Sequence, residues 1–402
     1  MTQRRTSARR VQVPSILGEP GIQRVRAPER RFLFAVPPLT GRIAPAQAVA
    51  AELARRGHKV AWTGHRPSLE PLLRPGSRIF GAGDDFGAVR DRWLELRGLD
   101  ALRFLWEDFL VPLGHAMMPG VERAIDRFHP DVVVSDQGVL AAPVAARRRE
   151  IPWATSAASP AEFTRPLAGL PEAEAEIRDH IGDFQLDHGI EDLLDLRFSD
   201  HLTLIFSTSA LVGDTSFFPD HFAFVGPVAG RSAPCAFPWE WLDGRPAVLL
   251  TLGRITGPPA GRLFEAAAEA VRDLDVQAIF VAAPGTAAAP PNVLVRERVP
   301  QHKLLERLSA VICHGGHATV CASLSHGVPL VAAPIRDDQP VIARRVEAAG
   351  AGISVDDPAE LGTALATVLA GGPHRAAAEA ARATFASAGG AAEAADRLEK
   401  LA

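Results

Sequence analysis

Apolar runs alternate with amphipathic stretches along most of the chain. Runs rich in Val, Ile, Leu and Ala fall at 31–36, 58–63, 131–135, 151–155, 202–207 and 222–224. More follow at 246–252, 277–282, 293–295, 310–313 and 328–333. Short runs without polar alternation fit strands buried on both faces, as in a parallel sheet. Between them, helical spacing is read over 44–56, 91–110, 115–128, 141–149, 262–274, 319–325, 360–369, 375–386 and 391–401. Gly57 and Gly327 close two of these stretches, as glycines past a helix end do. Strand, loop, helix, strand is the βαβ unit. Its repetition predicts an α/β protein whose halves look like two copies of one architecture.

Domain boundaries follow from where this pattern breaks. Residues 1–30 carry many arginines and little hydrophobic period, and read as a disordered basic tail. A first domain spans 31–226, a linker 227–245 and a second domain 246–402. In the linker, Trp239 and Trp241 are expected to pin the chain to the second domain. Residues 160–200 are acidic, interrupted by Pro and only weakly helical in pattern.

Composition changes this picture little. With 402 residues, 47% hydrophobic and 22% charged, the chain can bury a sizeable core in each domain. A net charge of −4 argues against a nucleic-acid surface over the whole chain. Cys235, Cys313 and Cys321 are too sparse for a disulfide framework and fit a reducing cytosol, the expected compartment. No apolar run reaches the roughly 18 residues of a membrane span. Cys313, His314, His317 and Cys321 lie close in sequence. Cys313 ends a buried strand and Cys321 falls mid-helix, so no metal site is expected.

The densest chemistry lies over 311–346. A buried strand runs into His314-Gly315-Gly316, and a helix follows from Thr319. A glycine turn feeding a helix N-terminus presents unpaired N–H groups and a positive dipole end, which suits a diphosphate. After the next strand come Pro334 and Asp337-Asp338-Gln339. Carboxylates and amides beyond a strand's C-terminal end are placed to hold sugar hydroxyls.

This stretch resembles the donor signature of the GT-B, family 1 glycosyltransferases. Their pattern runs His-x-Gly-x-(Gly/Asn)-(Ser/Thr), then Gly-Val-Pro, Pro, Asp/Glu-Gln and Arg-Val. The matches are His314, Gly316, Thr319, Gly327-Val328-Pro329, Pro334, Asp338-Gln339 and Arg345-Val346, with Ala318 where the family has Gly or Asn. The resemblance implies two Rossmann-like parallel-sheet domains facing each other across a cleft, with the final helix crossing back. It implies sugar transfer from a UDP- or dTDP-sugar to a small-molecule acceptor, a specialised metabolite, with inversion. His314, Gly315, Gly316, His317, Ala318 and Thr319 would carry the diphosphate, and Asp338 and Gln339 the sugar. No cofactor or metal is required. The implied partners are the donor and the acceptor, with a homodimer left open.

Three further positions depart from the family. After Gly41 the family places a His that deprotonates the acceptor, oriented by an Asp at the position of Asp136; here Arg42 stands there. Arg has no lone pair to accept a proton. Asp136 itself, an acidic acceptor or slow turnover would each resolve the missing base; its loss is worth roughly 10²–10⁴ in rate. After Gly253 the family's phosphate-binding Ser or Thr is Arg254. Before Val299 and Gln301 the base-stacking aromatic is Arg298. The alternative expectation is a GT-B relative that has lost or changed sugar transfer.

Overall fold

The computed structural model describes residues 28–84, 86–93, 95–228, 235–253, 255, 257–283, 285, 286 and 289–402. Most of the expected tail, residues 229–234 of the linker and Arg254 therefore lie outside the described residues.

The apolar runs form two all-parallel sheets. The first holds β1 Arg31–Ala35, β2 Lys59–Gly64, β3 Arg78–Gly81, β4 Val132–Asp136, β5 Trp153–Ala157, β6 Leu202–Ile205 and β7 Phe222–Phe224. Its order is β3-β2-β1-β4-β5-β6-β7. The second holds β8 Ala247–Thr251, β9 Gln277–Val281, β10 Val293–Arg296, β11 Ala310–Cys313, β12 Leu330–Ala332 and β13 Gly352–Ser354, in the order β10-β9-β8-β11-β12-β13. Every residue of β4, β8 and β11 is buried, as strands covered by helices on both faces must be. In both sheets the chain first builds outward from one strand, then returns to build the other way. That reversal lies between β1 and β4 in one sheet and between β8 and β11 in the other. Crevices open at the carboxyl ends of strands at such switch points.

Two stretches differ from their expected form. The helix expected over 91–110 is broken. Helices Gly87–Trp93 and Gly98–Phe104 are separated where Arg97 is extended and Gly98 takes φ +57°. A π-helical turn, Leu105–Leu110, then leads into Val111–Phe128. Pro112 stands at the start of that last helix; it has no N–H to give and its ring crowds the carbonyl one turn back. The wide turn buries Trp106, Phe109 and Leu110 together. Residues 160–200, in turn, contain the helix Pro171–Asp187. It buries Ala173, Ile177, Ile181 and Phe184, three or four residues apart, a narrow apolar stripe under a dense acidic face.

The last helix, Gly390–Leu401, packs on the first domain. Ala394, Ala395 and Leu398 join the core of Phe32, Phe34, Leu53 and Leu202. Arg56 reaches Glu399 at 2.9 Å and also pairs with Asp396, and His58 Nε2 lies 2.8 Å from Glu399. Leu398 is wholly buried. Leu398→Ala is expected to destabilise the protein by about 2–5 kcal/mol, measured by urea unfolding. A loss below about 1 kcal/mol would show that this helix is not part of the first domain's core.

Candidate active site

The two switch points face each other, and each carries expected site residues. At the first, Arg42 lies in the opening turn of helix Thr40–Arg56 and Asp136 ends β4. Arg42 Nη1 donates to Asp136 Oδ1 at 3.1 Å, and the Gly138 N–H donates to the same oxygen at 2.9 Å. Asp136 Oδ2 is buried without a hydrogen-bond partner among the described residues. Leu110 of the π turn packs over this corner: a Cβ at Gly138 would meet its Cδ2 at 3.2 Å. Burial pushes the Asp136 carboxyl above the ordinary range, opposed by Arg42 and the Gly138 N–H. Burial also works against the Arg42 charge, but Asp136, Asp338 and Glu162 outweigh it and hold the guanidinium protonated.

At the second switch point, Gly253 follows β8 and His314 follows β11. Gly253 takes φ +59° and Gly315 φ +78°, conformations that glycine adopts without strain. The His314 ring lies over Gly316: a Cβ there would come within 2.2 Å of Nε2. Gly316 is the N-cap of helix His317–Leu324, which has no side-chain cap and no acidic residue in its first turn. Its positive end is thus uncompensated by side chains, and an imidazole nitrogen sits beside it. Thr319 N–H turns back to the Gly316 carbonyl at 3.0 Å, and Ala318 is exposed. Burial holds His314 below the ordinary histidine range, opposed by a backbone hydrogen bond at Thr251 and by the Asp338 charge.

Hydrogen bonds join the two walls. Ser159, two residues past β5, donates its hydroxyl to Asp338 Oδ2. His317 Nδ1 lies 3.1 Å from the Ala158 carbonyl and its Nε2 3.1 Å from Cys321 Sγ. A carbonyl only accepts, so Nδ1 carries the proton and Nε2 accepts from the thiol. Burial pushes the Cys321 thiol up and His317 down, which keeps both neutral. Arg345 Nε donates to the Leu211 carbonyl at 2.6 Å. Asp338 precedes helix Gln339–Ala348. Gln339 Oε1 accepts from the Ile335 and Arg336 N–H groups at 3.0 and 3.1 Å, so that oxygen braces the loop behind Asp338. Asp337 sits at φ +58°, and burial raises its carboxyl to about 6.

The remaining expected residues lie around 298–301 and in the linker. Arg298 is exposed, while Val299 packs against the second domain's core. Gln301 opens helix Gln301–Leu305, its N–H bonded to the Val299 carbonyl at 2.9 Å. Trp239 and Trp241 pack against the same core. Ser159 and Glu162 belong to the site but were not expected. Their only sequence signal was position, just after a strand's carboxyl end. Among the described residues, no group of three or more His, Cys, Asp or Glu is arranged to hold a metal, and no helix is long and apolar enough to cross a membrane.

Comparison with known proteins adds to this geometry. Residues 262–401 match the family described as Erythromycin biosynthesis protein CIII-like, C-terminal domain. The chain is 28% identical over 370 residues to 4'-demethylrebeccamycin synthase of Lentzea aerocolonigenes, covering 80% of this chain and 87% of that one. A calicheamicin glycosyltransferase superposes with TM-score 0.76 at 22% identity, over 93% of this chain and 98% of its own. The glycosyltransferase VinC, solved in complex with dTDP, superposes with TM-score 0.72 at 20% identity, over 92% and 99%. With its two parallel-sheet domains, the chain has the GT-B fold, and it is similar to glycosyltransferases of natural-product pathways.

Proposed function

We propose that the protein transfers a sugar from a UDP- or dTDP-sugar to a small-molecule acceptor of the specialised-metabolite class, in one displacement with inversion. The observation that carries this reading is the uncapped N-terminus of helix His317–Leu324 with the His314 ring beside it. The diphosphate lies over 314–319, where main-chain N–H groups and the helix end offset its charge. His314, held neutral, gives one N–H to a phosphate oxygen as the leaving group gains charge. The base rests near Arg298, Val299 and Gln301. That VinC was solved in complex with dTDP supports a nucleoside-diphosphate donor and favours thymine.

Asp338 and the Gln339 amide nitrogen hold the sugar. Asp338 therefore exchanges Ser159 for a sugar hydroxyl when the donor enters. The acceptor approaches from the Arg42 side, opposite the diphosphate, which is the geometry of inversion. The helix end and His314 carry the leaving charge, so the reaction needs no metal. The protein works in the cytoplasm, where sugar nucleotides are made.

A second reading, a relative that binds nucleotide without transfer, is favoured by Arg42 in place of a base and by Ser159 on Asp338. Calorimetric titration with UDP and dTDP separates the two once turnover is followed alongside. Binding near the micromolar range, about −8 kcal/mol, is expected for one nucleotide, with or without Mg²⁺. Gly316→Ala pushes His314 off its place and should weaken that binding about tenfold or more, about 1.4 kcal/mol. Binding without consumption of any sugar nucleotide supports the second reading, and no binding of either nucleotide removes the first.

The lowered His314 pKa has a definite sign. A histidine whose folded value is depressed contributes stability that is intact above its unfolded value, about 6.5, and lost as pH falls through the folded one. Urea unfolding at pH 7 and pH 5 should therefore show a smaller pH-dependent loss for His314→Gln than for wild type. Equal losses would mean that His314 is not held neutral.

A further inference from the structure

The carboxylates around Arg42 are not equally available. The Asp136 side chain is 0% exposed, and its Oδ1 is already shared by Arg42 and the Gly138 N–H. A substrate hydroxyl has no surface of Asp136 to meet. Glu162 differs. It lies on the single turn Ala161–Thr164, three residues after the Ser159 that reaches Asp338. Ala161 beside it packs into the second domain's core, so the turn sits on the seam between domains. The Glu162 side chain is 35% exposed, and its charge acts on Arg42.

Its ion pair is with the buried Arg197, at 3.3 Å. That guanidinium also donates to Asp195 at 2.9 and 2.7 Å and to Glu174 at 2.6 Å, all shorter bonds. Glu162 is thus the most loosely held of the three carboxylates on Arg197, and the one on the seam. Burial raises its carboxyl above the ordinary range, while Arg197 and Arg42 draw it back.

We propose that Glu162 removes the proton from the acceptor hydroxyl, with Arg42 and Asp136 as positioning residues. The inference rests on the sugar-transfer reading above. The acceptor O–H proton passes to the Glu162 carboxylate as the oxygen bonds to the anomeric carbon. The bond from that carbon to the phosphate oxygen breaks, and its electron pair leaves with the nucleoside diphosphate. Glu162 then gives the proton to water.

The test needs no knowledge of the natural acceptor. Wild type, Glu162→Gln and Glu162→Asp are incubated with UDP-glucose and dTDP-glucose, with water or azide as nucleophile. Water must lose a proton on attack; azide need not. For Glu162→Gln, hydrolysis is expected to fall about 10²-fold while glycosyl azide formation stays within about threefold of wild type. Glu162→Asp should lie between. Nucleotide affinity and melting temperature, measured in parallel, should not change. Unchanged hydrolysis in Glu162→Gln overturns the assignment, and so does an equal fall with both nucleophiles, which marks a structural role. Wild type that binds nucleotide but consumes donor with neither nucleophile overturns it too. Wild type that binds neither nucleotide fails at the earlier reading instead, which keeps the two failures apart.

Discussion

Arg42 places a positive charge between carboxylates from both halves of the chain. Asp136 and Glu162 face it from the first domain, and Asp338 from the second. Buried or half-buried carboxylates that approach one another need a compensating cation. The guanidinium supplies it at the point where the first sheet reverses direction. On the other wall a helix N-terminus has no side-chain cap and no acidic residue in its first turn. The two walls therefore differ in charge: carboxylates gathered on a guanidinium at one, a helix N-terminus at the other.

The seam between the domains is held by hydrogen bonds and by Ala161 and Leu211, which pack into the second domain's core. Ser159 to Asp338, His317 to the Ala158 carbonyl and Arg345 to the Leu211 carbonyl are hydrogen bonds worth about 0.5–1.5 kcal/mol each in neutral form and somewhat more where charged. Within each domain, separate buried apolar clusters cover the sheet. Two of the side chains bonded across the seam, Asp338 and His317, are ones that the proposed donor must meet.

How much of this could be read from the sequence depended on how local each feature is. The buried strands were legible because each is a short apolar run closed by a turn. The His314–Thr319 loop was legible because its residues are consecutive and bond with their own neighbours. Ser159 was not, since its partner lies 179 residues away and a lone Ser after a strand carries no pattern. Glu162 was hidden for the same reason, in a stretch rich in acids. Strands β3 and β13 escaped notice as short edge strands carrying Arg78, Gly81 and Gly352. The π turn could not be foreseen from period alone, because a wide turn keeps the apolar spacing of a helix nearly intact. Arg42 was visible at once as a substitution, but its companions on the seam were not.

The last helix has a consequence for how such a protein can be recombined. Its chain returns at Gly226 and Gly390, where the Gly390 N–H bonds to the Val225 carbonyl at 2.7 Å. Its apolar face then completes the first domain's interior. The second half of the sequence is therefore not the same object as the second domain. An exchange of donor-side halves between two such proteins has to be cut twice, once in the linker and again near residue 389, so that residues 390–401 stay with the core they fill. A single crossover would import a foreign helix into a core it was never packed against, and the damage would show on the half that was not exchanged.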